Sequence, residues 1–162
     1  MRAAHIRDGA VLTTFLSWLE AAVTRGVDVR APDCPPLAFR LTESSVASVL
    51  DGMRAAAPEF LSLSFPTIAG MGPNGAVIHY RPEPGADAEV TAGGLFLLDS
   101  GGQYRDGTTD VTRTLHFGTP CEREARCYTR VLQVRAAGLL GGLTRNWLHF
   151  TAPPLLPCLA LL

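Results

Sequence analysis

The stretch Leu95–Phe117, LFLLDSGGQYRDGTTDVTRTLHF, constrains what this chain can fold into more than any other part of it. Its opening run, Leu95-Phe96-Leu97-Leu98, has the composition of a strand buried on both faces. Asp99 follows directly. A carboxylate at the end of a buried strand needs a partner, because without one it is strongly destabilised or driven to take up a proton. Gly101-Gly102 then loosens the backbone, and Arg105-Asp106-Gly107 supplies turn chemistry. The chain returns as a second strand from about Thr108. On that return Asp110, Thr112, Thr114 and His116 share one face, and Val111, Leu115 and Phe117 the other.

Such a hairpin brings Asp110 close to the level of Gly101–Gln103, within a few residues of Asp99. The register stays open, since the glycine pair could host a bulge. No Lys accompanies the two carboxylates, and Arg113 falls on the face opposite Asp110. Like charges held close repel, so either one keeps a proton or a divalent cation sits between them. All-oxygen ligation suits hard or borderline cations such as Mn, Mg or Ca. The plainer alternative is that an Asp in a hairpin is a turn or cap residue, as Asp106 is read here. Spacing alone does not decide between them.

At 162 residues the chain could form one domain with a reasonable core. Its formal net charge of −1 is spread along the sequence without a basic stripe, which argues against a nucleic-acid partner. Cys34, Cys121, Cys127 and Cys158 show neither a CxxC nor a disulfide framework and are read as reduced thiols of an intracellular protein. The amphipathic, charged N-terminus carries no secretory signal, and the apolar end Leu155–Leu162 is too short to span a bilayer. The expectation is a cytoplasmic protein without a membrane partner.

In chain order, Ile6, Ala10, Phe15, Leu16, Leu19 and Val23 recur at helical spacing, which predicts a helix over Arg2–Arg25 with Gly26 as its terminator. His5 and His149 have no ligand company and are read as structural or surface residues. Pro32, Pro35 and Pro36 make 27–41 a loop. Thr42 caps a second helix, with Glu43 in its first turn and Pro58 after its end at Ala57. Leu61–Phe65 and Ala76–Tyr80 are predicted strands, Asn74-Gly75 being a turn signal before the second. Arg81–Val90 is a polar connection to the hairpin. The class is α+β: two helices plus an antiparallel sheet.

The segment LLDSGGQYRDGTTDVTRTLHFGTP resembles the signature of the Xaa-Pro aminopeptidases, proline-specific members of the methionine-aminopeptidase-like pita-bread metallopeptidases. LSFPTIAGMGPNGAVIHY and the opening MRAAHIRDGAVLTTFLSWLE resemble the same family. The resemblance implies that Asp99 binds one metal and that Asp110 bridges two, usually manganese. It also implies that His79 sits beside the peptide, positioning substrate or shuttling a proton; on the residues alone His79 would be a satisfied histidine on a half-buried strand. The implied reaction releases the N-terminal residue of a peptide with proline in second position, in an enzyme that can be a homodimer.

By that resemblance residues 1–133 form the first half of a pita-bread domain, with 27–41 as an insertion loop. Gly118–Leu132 enters a further helix. Residues 134–162, with Gly138, Gly141 and Gly142 and then Pro153, Pro154 and Pro157, are expected to be a divergent, irregular tail. The family's remaining ligands, a His and two Glu, belong to a second half that nothing here resembles. Weak or absent Mn binding and an inactive fragment are therefore expected. A non-catalytic module that binds or dimerises with the full-length enzyme is the alternative.

Overall fold

The computed structural model describes residues 1–25 and 40–140. Helix α1 spans Arg2–Arg25, as its spacing predicts. Its buried face is Ala4, Asp8, Leu12, Phe15, Trp18, Leu19 and Ala22, the stripe that a 3.6-residue period lays along one side. Ile6 and Ala10, expected on that face, are exposed. The stripe runs through Asp8 instead, whose charge is met inside the protein.

Helix α2 spans Glu43–Ala55 and begins with a reciprocal cap. The Ser45 amide donates to Thr42 Oγ1 at 3.3 Å, and the Thr42 amide donates to Ser45 Oγ at 2.9 Å, so two orphan donors of the first turn are satisfied. The helix stops short of Ala57, whose amide closes a turn onto the Arg54 carbonyl.

Six strands follow: β1 Phe60–Leu63, β2 Ile68–Met71, β3 Leu95–Ser100, β4 Gly102–Tyr104, β5 Gly107–Thr108 and β6 Val111–His116. They form two antiparallel sheets, ordered β2-β3-β6 and β1-β4-β5. Strand β3 is central, with Leu97 opposite Gly70 on one side and Thr114 on the other. Phe96 and Leu98 face the helices and join Leu12, Phe15, Trp18, Leu19, Val46, Leu50, Ala69 and Met71 in one core. Leu97 points the other way and is nevertheless buried.

What covers Leu97 is a short 3₁₀ helix, Gly72–Ala76. A Cβ on Gly75 would lie 3.1 Å from Leu97 Cβ, and one on Gly70 would lie 2.7 Å from the Gly75 amide nitrogen. That approach excludes a side chain at Gly70. The predicted strand Ala76–Tyr80 is therefore corrected: Ala76 ends the 3₁₀ helix, and Val77–Tyr80 is a turn in which the Tyr80 amide donates to the Val77 carbonyl at 3.1 Å. Pro73, without an amide proton, suits the first turn of such a helix better than a ladder. The strand lies earlier, at β2, in a stretch whose short length and two small residues gave little β signal.

Helix α3 spans Glu122–Leu140, so residues 134–140, expected to be irregular, are helical. Gly138 costs a helix interior only about 1 kcal/mol relative to Ala, too little to end one. The expected loop 27–41 lies outside the described residues except for Arg40 and Leu41, and the tail beyond Leu140 lies outside them altogether. Among the described residues no helix is long and apolar enough to cross a membrane.

The connection after Tyr80 is tied to α2 by Asp87, whose Oδ2 accepts the Ser44 amide at 2.8 Å and Oδ1 the Gly85 amide at 3.2 Å. Burial alone would push this carboxyl up. Hydrogen bonds from the Ser44 hydroxyl and amide and the Thr42 hydroxyl outweigh it and hold the group at about 2. An unfolded Asp titrates at about 3.9, so its stabilisation is complete above that pH and fades as the folded form protonates toward pH 2. Asp87→Asn should lower the urea midpoint at pH 5 and shrink the decline between pH 4 and 2. A parallel decline in both proteins would contradict this.

Candidate metal centre

Asp99 is the penultimate residue of β3 and pairs with Thr112 of β6; Ser100 pairs with Val111. Thr112 Oγ1 donates to Asp99 Oδ1 at 2.8 Å. Asp110 directly precedes β6, so the two carboxylates stand on neighbouring strands two positions apart along the ladder. Asp99 is half-buried and Asp110 exposed. Arg113 pairs with Leu98 and takes the other face.

The backbone before Asp110 leaves the β2-β3-β6 sheet. At Gly101 the chain passes from β3 into the second sheet, and the return through β5 passes back at Thr109. A Cβ on Gly101 would lie 2.0 Å from the Thr109 carbonyl oxygen. Only glycine permits that approach. Ser64 Oγ donates to the same carbonyl at 3.0 Å, and the Thr109 amide donates to the Gly102 carbonyl at 2.9 Å. The hairpin anticipated from the sequence thus divides its length between two sheets.

Beneath Thr109 lies a charged pair that composition did not reveal. Arg54 Nε and Nη2 donate to Asp8 Oδ1 and Oδ2 at 2.7 and 3.1 Å, and both residues are almost wholly buried. Tyr104 Oη donates to Asp8 Oδ1 at 2.8 Å and Thr109 Oγ1 to Oδ2 at 3.0 Å. Burial would push the Asp8 carboxyl up. The Arg54 bond and charge, with the two hydroxyls, hold it below its ordinary value. Burial, and then the bond to Asp8, pushes the Tyr104 phenol up to about 12.

His79 is exposed, in the left-handed region at φ 56°, and its side chain makes no hydrogen bond among the described residues. It does not lie on a strand. The 3₁₀ helix before it rests on Leu97, which shares a face of β3 with Asp99. Tyr80, next in sequence, donates its phenol to Glu43 Oε2 at 2.7 Å. Glu43 is itself fully buried.

The donor set agrees in kind with a hard or borderline divalent cation: carboxylate oxygens, with no ammonium competing for them. It falls short in number. Among the described residues no three His, Cys, Asp or Glu side chains converge, whereas such ions want about six donors.

The fold is that of a metallopeptidase, and the chain belongs to metallopeptidase family M24, whose profile matches residues 1–140. It is 45% identical to a probable Xaa-Pro aminopeptidase P of Metarhizium acridum, over 99% of this chain and 24% of that protein. It is 44% identical to aminopeptidase P1 of Lotus japonicus, over 82% of this chain and 22% of that one. Among solved structures, an X-prolyl aminopeptidase from Caenorhabditis elegans, described as a cytosolic enzyme with a di-nuclear active site, superposes with a TM-score of 0.65 at 38% identity. The match covers 76% of this chain and 18% of the nematode enzyme. A prolidase from Thermococcus sibiricus follows with 0.62 and 26%, over 84% of this chain and 31% of its own. The three helices and two antiparallel sheets are thus part of the pita-bread fold. This chain spans about a quarter of the length of these curated relatives.

Proposed function

We propose that this chain carries one wall of a two-metal Xaa-Pro aminopeptidase centre and does not turn over substrate by itself. The observation that carries the reading is the pairing of β3 with β6, which brings Asp99 and, just before β6, Asp110 to the same end of neighbouring strands, two positions apart, in a chain of family M24. Asp99 and Asp110 would hold manganese. When bound, such cations polarise a scissile carbonyl and make an attacking water more acidic. The chain's own residues have simpler tasks. Thr112 orients Asp99 through its hydroxyl. The exposed imidazole of His79 can donate or accept a hydrogen bond from a peptide with proline in second position. The setting is the cytoplasm, and the nematode relative's description agrees with that.

With two carboxylates at the site among the described residues, Mn²⁺ binding should be weak and no hydrolysis should follow. The purified chain, incubated with Mn²⁺ and an Xaa-Pro peptide, should release no N-terminal residue above the buffer blank. Hydrolysis that Asp110→Ala abolishes would overturn the claim of inactivity. Mn²⁺ affinity unchanged in both Asp99→Asn and Asp110→Asn would overturn the site.

A second reading rests on α3, where Tyr128 and Leu132, one turn apart on one side of the helix, are half-exposed. An apolar helix face left in water favours association, which suits a non-catalytic module that binds the full-length enzyme. Co-purification with that enzyme, lost on Leu132→Glu, would support it; passage through the column would remove it.

A further inference from the structure

We infer that Thr109, clamped by Asp8 of the first helix, is a positioning residue that sets Asp110 before any cation arrives; the inference rests on the reading of Asp110 as a metal ligand. Thr109 is wholly buried although Asp110, next to it, is exposed. Each polar group of Thr109 has a partner. Its hydroxyl donates to Asp8 Oδ2 at 3.0 Å and accepts the Gly102 amide at 2.9 Å. Its amide donates to the Gly102 carbonyl at 2.9 Å, and its carbonyl accepts Ser64 Oγ at 3.0 Å.

The peptide plane does the rest. A peptide unit is rigid from one Cα to the next, so fixing the Thr109 carbonyl fixes the Asp110 nitrogen and Cα. On the far side the pairing of Val111 with Ser100 fixes the chain again. Asp110 is held at both ends of its backbone while its carboxylate stays free to reach a ligand. Asp8 is in turn immobile: Arg54 grips both its oxygens and Tyr104 takes a remaining lone pair. A buried ion pair seldom improves on a well-packed apolar one in stability. Here it places a fixed acceptor under the residue preceding the ligand.

Mn²⁺ binding to the purified chain, followed by loss of the free-ion EPR signal, tests this without reference to activity. Thr109→Val keeps the shape and removes the hydroxyl; affinity should fall about tenfold or more, the range seen when groups supporting a metal ligand are removed. Thr109→Ser restores the hydroxyl and should stay close to the parent. Wild-type affinity in Thr109→Val, with binding lost in Asp110→Asn, would overturn the inference and leave the site standing. Equal losses in Thr109→Val and Thr109→Ser would also overturn it, because the hydroxyl would not then be what matters. Wild-type affinity in Asp110→Asn would remove inference and site together. Hydrogen exchange on the unaltered chain gives an independent check. The Gly102 and Thr109 amides should be protected without Mn²⁺ and unchanged by it. Protection appearing only with the ion would mean that the cation, not Asp8, orders the segment.

Discussion

Arg54→Ala should destabilise the chain by about 3–5 kcal/mol, the cost of leaving a buried charge without its partner. Domains of this size are stable by only about 5–15 kcal/mol in all, so a large part of the population should unfold at moderate urea. The prediction follows from where Asp8 sits: about 1% exposed, with Arg54 as its one cationic partner in contact among the described residues. Removing the guanidinium strands the carboxylate, although Tyr104 and Thr109 still donate to it. The penalty should depend on pH with a definite sign. Asp8 in the parent protein titrates below its ordinary value, so its stabilisation is present above about pH 3.9 and fades as the folded carboxyl protonates. The gap between parent and Arg54→Ala should therefore be widest near neutrality and narrow in acid. Replacing the pair together, Asp8→Leu with Arg54→Met, should recover only part of the loss, because the Tyr104 and Thr109 hydroxyls would lose an acceptor in a buried place. A urea midpoint for Arg54→Ala equal to the parent's at pH 7 would refute the account.

The route by which the sequence reveals this fold is uneven, for physical reasons. The run at β3 and the alternation at β6 were legible because a central strand between helices and a packed turn must be apolar on both sides. Asp99 stood out because it ends that run. The division of the hairpin between two sheets was not legible. It depends on a backbone contact at Gly101 that a glycine pair permits without announcing. Both ends of helix α1 are legible in the sequence, but its buried face is not, because Asp8 interrupts the apolar stripe. A usable signal was present: Ala4, Asp8 and Leu12 are spaced by four, so an Asp on an otherwise apolar line asks for a buried base. The strand-like pattern before His79 is overridden by Gly72-Pro73, which opens a 3₁₀ helix there. The carboxylates at 99 and 110 could be named from the signature, which also contains Thr109 and Thr112, whereas the groups that fix Thr109, Asp8 and Ser64, come from distant segments that only folding brings together.

Glu43→Gln should destabilise the chain by about 2–3 kcal/mol, even though it changes no more than one oxygen to an amide nitrogen. Glu43 opens α2, where the helix dipole favours negative charge, and it is fully buried with no base hydrogen-bonded to it among the described residues. Its two oxygens serve different donors. Oε1 accepts the Met71 amide at 2.6 Å and Oε2 the Ala88 amide at 2.9 Å, while Asn74 Nδ2 spans both at 3.0 and 3.1 Å and Tyr80 Oη reaches Oε2 at 2.7 Å. With burial, the contact pushes the Tyr80 phenol up to about 12. A glutamine amide cannot replace this acceptor. Whichever way it is turned, its NH₂ group confronts a backbone N–H, that of Met71 or that of Ala88, and backbone donors cannot rotate away. The damage should be local first. Met71 and Ala88 amides should exchange faster than those of β3 and β6, and the turn bearing His79 should loosen because Asn74 loses one of its two acceptors and Tyr80 a charged one. Glu43→Gln with parental stability and those two amides still protected would show that the carboxylate's charge and its second acceptor oxygen are dispensable, and that apolar packing around Gly75 and Leu97 suffices to hold the turn against β3.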